Sequence, residues 1–170
     1  MKKLILLVSL LSFTMQAQNV TVNSGRSFTI QSTSSLTVGG NFTNNSGTVT
    51  LNSDATNYSS IIVSGSSTGN IIYNRYVNTV VGDNGWDLIG SPVDELSISS
   101  FASSNNGSLA TNGSSPTTYA IGVYDNSTDT WTNYNSSTVG STTFDIGKGY
   151  QMASQSGQTL SFTGKIATTD

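Results

Sequence analysis

The chain contains neither histidine nor cysteine. Ser–His and Cys–His nucleophilic catalysis, and metal centres built on imidazole or thiolate, therefore have no residues to use. Glycoside hydrolysis needs two carboxylates facing each other across a cleft. Two close pairs in the sequence are Asp83 with Asp87 and Asp94 with Glu95, and Glu95 is the sole glutamate. Adjacent residues point opposite ways on a strand and diverge on a helix, so Asp94 and Glu95 read as turn or cap residues. Gly147-Lys148-Gly149 lacks the spacing and the following Ser/Thr of a phosphate-binding loop, and reads as a turn with a solvated lysine. The chemistry points to a non-enzyme with no cofactor.

Binding chemistry is better represented. Trp86, Trp131, Tyr124 and Tyr134 could stack on the apolar faces of sugar rings, with neighbouring neutral side chains bonding the hydroxyls. The competing reading is that Trp86 and Trp131 form the core of a small β-domain, because large aromatics dominate small cores. Trp131 and Tyr134 are three apart on a strand, so they face opposite sides. Asp125 and Asp129 bracket Asn126-Ser127-Thr128, a spacing that could offer oxygen ligands to Ca²⁺. That run lacks the glycine and bidentate glutamate of an EF-hand, and ordinary hairpin-turn chemistry accounts for it. A third candidate is the set Thr21, Thr29, Thr37, Thr43 and Thr50, an outward array that could order water as ice-binding solenoids do. Its units start at Val20, Phe28 and Leu36, but the next full unit waits until Val49, so the period is broken.

The elements that must carry these residues are short strands. Val20-Thr21-Val22, Phe28-Thr29-Ile30, Leu36-Thr37-Val38 and Val49-Thr50-Leu51 are apolar–Thr–apolar units separated by Asn, Ser and Gly. The alternation puts Thr on one face and the apolar residues on the other. Strands this short cannot each own a core and must stack on one another. Ile61-Ile62-Val63 and Ile71-Ile72-Tyr73 are continuous apolar runs, predicting strands buried on both faces. The rhythm changes between Val77 and Asp83, where a boundary is expected.

Beyond it, Trp86 to Ile89 reads as a strand ending at Pro92, and Asp94 to Phe101 as a short helix or 3₁₀ turn. Ser103 to Pro116 reads as an exposed loop. Tyr119–Tyr124 and Thr130–Tyr134 flank the Asp125–Asp129 turn as a hairpin, and strands follow at Tyr150–Met152 and Thr159–Ile166. The expected class is all-β: an N-terminal β-solenoid-like repeat array over residues 18–77, then a β-sandwich-like domain over residues 78–170, cut short at its end.

Ser, Thr, Asn and Gly together make up about half of the residues, and Asp, Glu, Lys and Arg only 9%. Hydroxyls and amides, rather than ions, must solvate such a surface. Met1-Lys2-Lys3 followed by the apolar run Leu4–Phe13 reads as an export signal over residues 1–17, cleaved after Ala17. That run is too short to span a bilayer. Without those residues four cations (Arg26, Arg75, Lys148, Lys165) face nine carboxylates, a net charge of −5. Nucleic acid is excluded as a partner, because no basic stripe exists to neutralise phosphate, and so is membrane insertion after cleavage. The expected location is secreted or outer-surface associated, with stability supplied by burial rather than disulfides.

Several segments in order resemble secreted surface proteins of the Bacteroidetes, chiefly flavobacterial, that carry a type IX secretion sorting domain. They are Gln16-Ala17-Gln18, Leu36-Thr37-Val38-Gly39-Gly40-Asn41-Phe42-Thr43-Asn44 and Gly47 to Asp54. Tyr73-Asn74-Arg75-Tyr76-Val77, Gly85 to Pro92, Gly147-Lys148-Gly149-Tyr150 and Leu160 to Gly164 complete the set. The resemblance implies a non-catalytic structural or adhesive module of such a cargo protein, here without the sorting domain. Its partners would be extracellular glycans or cell-surface components. A carbohydrate-binding module is the alternative, and an ice-binding β-solenoid a lesser one.

Overall fold

The structure is a computed structural model that describes residues 15–80 and 84–168. Among the described residues it is all-β apart from one short helix. The chain first makes three passes of three strands. The first comprises β1 (Met15–Ala17), β2 (Val20–Asn23) and β3 (Ser27–Ile30); the second β4 (Ser35–Val38), β5 (Phe42–Asn45) and β6 (Thr48–Asn52). The third comprises β7 (Ser60–Val63), β8 (Ser67–Thr68) and β9 (Asn70–Val77). Each strand pairs in parallel with its counterpart one pass later, giving the orders β1-β4-β7, β2-β5-β8 and β3-β6-β9. Phe28 faces Val49, so that pass takes 21 residues, and 25 where Phe42 faces Ser67. The apolar members point inward, with Val38 and Phe42 fully buried and Val49 and Leu51 nearly so.

Asparagine side chains tie the passes together at their corners. Asn41 N donates to Asn19 Oδ1 at 2.8 Å, and Ser66 N to Asn41 Oδ1 at 3.0 Å. A second ladder runs from Gln31 through Asn52 to Asn74, with amide bonds of 3.3 and 3.0 Å. Ser161 extends it at 2.7 Å. Asn19 and Asn41 matter because turn N–H groups lack ladder partners of their own and the amide oxygens accept from them, whereas the second ladder joins side chains to one another.

The second half contributes β10 (Asp87–Gly90), β11 (Val93–Asp94), α1 (Ile98–Ser104), β12 (Thr118–Asp125), β13 (Thr130–Asn135), β14 (Gly149–Met152) and β15 (Gln158–Ile166). Four of these form an antiparallel sheet in the order β10-β14-β12-β13. β15 instead lies antiparallel on β9, from Gln158 opposite Val77 to Lys165 opposite Asn70. One sheet, β11-β15-β9-β6-β3, thus runs through both halves, and the boundary expected near Val77 falls at the end of a strand shared by the two.

The core between the sheets is aromatic. Phe162 of β15 lies 4.4 Å from Phe101 of α1, ring centre to ring centre, and Phe144 stands edge-on to Phe101 at 5.4 Å and to Tyr150 at 5.0 Å. The helix forms because Ser97 caps it, its hydroxyl accepting from Ser100 N at 3.1 Å, and because Ile98, Phe101 and Ala102 make one buried stripe.

Two local expectations are corrected. Ile62 is 60% exposed with Ile61 and Val63 half-buried, and Ile72 is half-buried opposite the buried Ile71, so neither apolar run is fully buried on both faces. The loop after Ser103 is not uniformly exposed. Asn105 and Leu109 are buried, because the Asn105 amide donates to Ser161 O and its carbonyl accepts from Ser161 N, anchoring the loop to β15. The expected export signal lies outside the described residues as far as residue 14; its last three, Met15–Ala17, pair in parallel with Leu36–Val38. Asp83 also lies outside them.

Candidate functional site

The four-stranded sheet has one face on the core and one toward solvent. Strand alternation sends Ile89, Ile121, Tyr150 and Met152 inward, where all are buried. The opposite face is read from the register. Leu88 faces Gln151, Gln151 faces Gly122, and Gly122 faces Asn133, so one row crosses all four strands. Residues opposite one another, or two apart on a strand, share a face. Tyr124 and Trp131 face each other two residues along from Gly122 and Asn133 and therefore lie on the same face.

On this face Leu88 is 69%, Trp131 44% and Tyr124 39% exposed. The Tyr124 and Trp131 rings lie 5.1 Å apart at an interplanar angle of 52°. Trp86, half-buried, stands two residues before Leu88 and helps to line a shallow depression of about 350 Å³ with Asp87, Leu88, Trp131 and Gln151. Beside the depression the row is low and bridged by amides. Gly122 has no side chain, and over it Gln151 Nε2 donates to Asn133 Oδ1 at 2.6 Å. A Cβ on Gly122 would sit 2.7 Å from Gln151 Nε2, so the bridge needs glycine at that position.

The electrostatics of the rim are those of engaged carboxylates. Asp87 accepts from Asn78 N at 2.8 Å and from Asn78 Nδ2 at 2.9 Å. The Tyr124 hydroxyl donates to Asp129, a bond that pushes the phenol pKa above its ordinary value, with burial adding to it. None of the five residues lining the depression is a cation.

The sequence-derived candidates separate accordingly. Trp86, Trp131 and Tyr124 come together. Neither tryptophan belongs to the hydrophobic core cluster, which overturns their reading as core residues; the core between the sheets is filled by Phe101, Phe144, Tyr150 and Phe162 instead. Tyr134 does not join them. It is on the other face, 6.4 Å from Tyr150, where burial raises its pKa.

The Ca²⁺ candidates are bound up in hairpin chemistry. Asp125 Oδ1 accepts from the hydroxyl of Ser127 at 2.7 Å and from its N–H at 2.8 Å, which holds that carboxyl below its usual range. Asp129 takes the Tyr124 hydroxyl. Among the described residues, no three Asp, Glu, His or Cys side chains lie together. Asp94 Oδ1 accepts from Glu95 N at 2.9 Å, and Glu95 is held at a φ of 57° in a turn. Lys148 pairs with Asp145 at 3.1 Å.

The threonines do stack: Thr21, Thr43 and Thr68 form one column and Thr29 and Thr50 another. Thr37 and Thr50, however, are each followed in the next pass by an isoleucine, Ile62 and Ile72.

Leu88, Gly122, Asn133 and Gln151 were not legible as site residues. Alternation could have placed Leu88 opposite Ile89 in facing, but the adjacency of β10, β14, β12 and β13 is non-local. No family model matches the chain, and no curated protein or solved structure matches it.

Proposed function

We propose that this chain is a non-catalytic, exported adhesive module of a type IX secretion cargo protein, whose open aromatic sheet face binds glycan. The observation that carries the reading is the position of the two tryptophans. They are the only ones in the chain, and both border one solvent-facing depression although a hydrophobic core was available to them. Exposing large aromatics together costs hydrophobic burial, and such patches mark interaction sites. Amides beside the rings supply hydroxyl-bonding groups without charge.

The rest of the chain reads as a support for that face. Three stacked passes are read as a short β-solenoid stalk, and the two facing sheets with α1 as a sandwich-like head, joined through β9 and β15. Cleavage after Ala17 would remove β1 and leave β4 as an edge.

The test is a glycan array probed with the purified chain and with Trp131→Ala and Trp86→Ala. Binding lost in both, with an unchanged far-ultraviolet circular dichroism spectrum, is the expected result. Undiminished binding in both variants would remove the site. Hydrolysis of a polysaccharide panel, abolished by Glu95→Gln or Asp87→Asn, would refute the non-catalytic assignment.

A further inference from the structure

We infer that this face selects an extended, uncharged glycan, and that Gln151, held by Asn133 across Gly122, is the residue that reads a sugar hydroxyl. The inference rests on the carbohydrate-binding reading and names its ligand class. Three observations lead to it.

The first is shape. The rings stand on an open sheet face rather than in a closed cleft, and Tyr124 and Trp131 are inclined at 52°, so a polymer chain can cross the face and stack on one ring at a time. The second is the amide bridge. Gln151 Nε2 and Asn133 Oδ1 already satisfy each other at 2.6 Å. Among the described residues neither the Gln151 side-chain carbonyl oxygen nor the Asn133 amide nitrogen has a hydrogen-bond partner, so the pair offers a free acceptor oxygen and free amide N–H groups with one amide anchored to the other. Preorganisation of this kind lowers the ordering cost of binding. The third is charge. Asp87 lines the depression and Asp129 holds the adjacent Tyr124 hydroxyl, with no cationic side chain in the lining. A polyuronate would bring its carboxylates against these groups, and like charges brought together at an interface are disfavoured.

Because Trp86 and Trp131 are the only tryptophans, intrinsic fluorescence reports on this face directly. The experiment titrates the purified chain with a soluble mixed-linkage β-glucan and an unsubstituted xylo-oligosaccharide, and in parallel with polygalacturonate and chitosan. Saturable change in tryptophan emission is expected with the first two, weakened by about ten-fold in Gln151→Ala, the loss of one good hydrogen bond. Gly122→Ala, which pushes the bridge apart, should weaken it likewise. Circular dichroism and the thermal midpoint confirm that each variant is folded; if Gly122→Ala is not, Asn133→Ala replaces it.

The outcomes separate the two levels of the argument. No binding to any of the four polymers sinks the glycan reading and the inference with it. Neutral-glycan binding unchanged in the folded Gln151→Ala variant overturns the inference while leaving the glycan reading in place. Tighter binding to polygalacturonate, or salt-sensitive binding to chitosan alone, overturns the claim of neutral selectivity.

Discussion

Replacing Phe162 by alanine tests whether the chain unfolds as one unit. Phe162 is fully buried on β15, the strand that zips to β9, and its ring touches Phe101 of α1 at 4.4 Å and approaches Phe144 at 6.0 Å. Phe→Ala at such a position costs about 3–5 kcal/mol in lost transfer energy and cavity. For a domain of this size each kcal/mol moves the midpoint by roughly 2–4 °C, so a drop of about 12 °C follows. The assay is thermal unfolding followed by two probes. Tryptophan emission reports the four-stranded sheet alone, since both tryptophans border it, while far-ultraviolet circular dichroism reports all strands, including the stacked passes. If β9 and β15 weld the halves into one cooperative unit, the two curves coincide in the wild type and shift together in Phe162→Ala. A variant in which fluorescence melts early while most of the ellipticity stays at the wild-type midpoint would refute the continuity argument. A shift under about 3 °C would refute the burial argument.

Three further predictions concern the stacked passes. Asp54 accepts from Thr56 N at 2.9 Å and Asn57 N at 2.8 Å, and the Thr56 N–H first, then the Ser32 hydroxyl, hold its carboxyl far below the usual carboxylate range. A depressed folded value means that the turn's contribution is complete above the ordinary carboxylate pKa of about 4 and is lost as pH falls below it toward the folded value. Melting from pH 7 to pH 2 should therefore show a shallower acid decline in Asp54→Asn than in the wild type; parallel curves would contradict this. Asn52→Ala leaves the Asn74 amide without its acceptor at a part-buried position, while the exposed Gln31 carbonyl turns to solvent, and urea unfolding should show a loss of about 1 kcal/mol. Gly69 has a φ of 76° and lies against the Asn44 carbonyl, so Gly69→Ala combines backbone strain with a clash. It should lower stability by more than about 1 kcal/mol, whereas Gly113→Ala, with the same handedness but open space around it, should cost less.

The sequence by itself determined the class and the local elements. Apolar–Thr–apolar spacing announced one-sided strands, and Asn-Gly-Ser punctuation announced their turns, because both are set by backbone geometry within a few residues. The hairpin around Asp125–Asp129 was legible for the same reason, and so was the opposed facing of Trp131 and Tyr134; the helix expected over Asp94–Phe101 forms instead at Ile98–Ser104, where Ser97 caps it, and Val93–Asp94 is a strand. Tertiary structure alone decided the rest. Nothing local says that β15 pairs with β9 rather than with β14, or that β10 lies beside β14; those neighbours are chosen by which apolar faces can be covered together. The same choice put Phe101, Phe144, Tyr150 and Phe162 between the sheets and left Trp86 and Trp131 outside. It also set Gln151 and Asn133 on either side of Gly122, an arrangement between strands distant in sequence that local periodicity cannot encode.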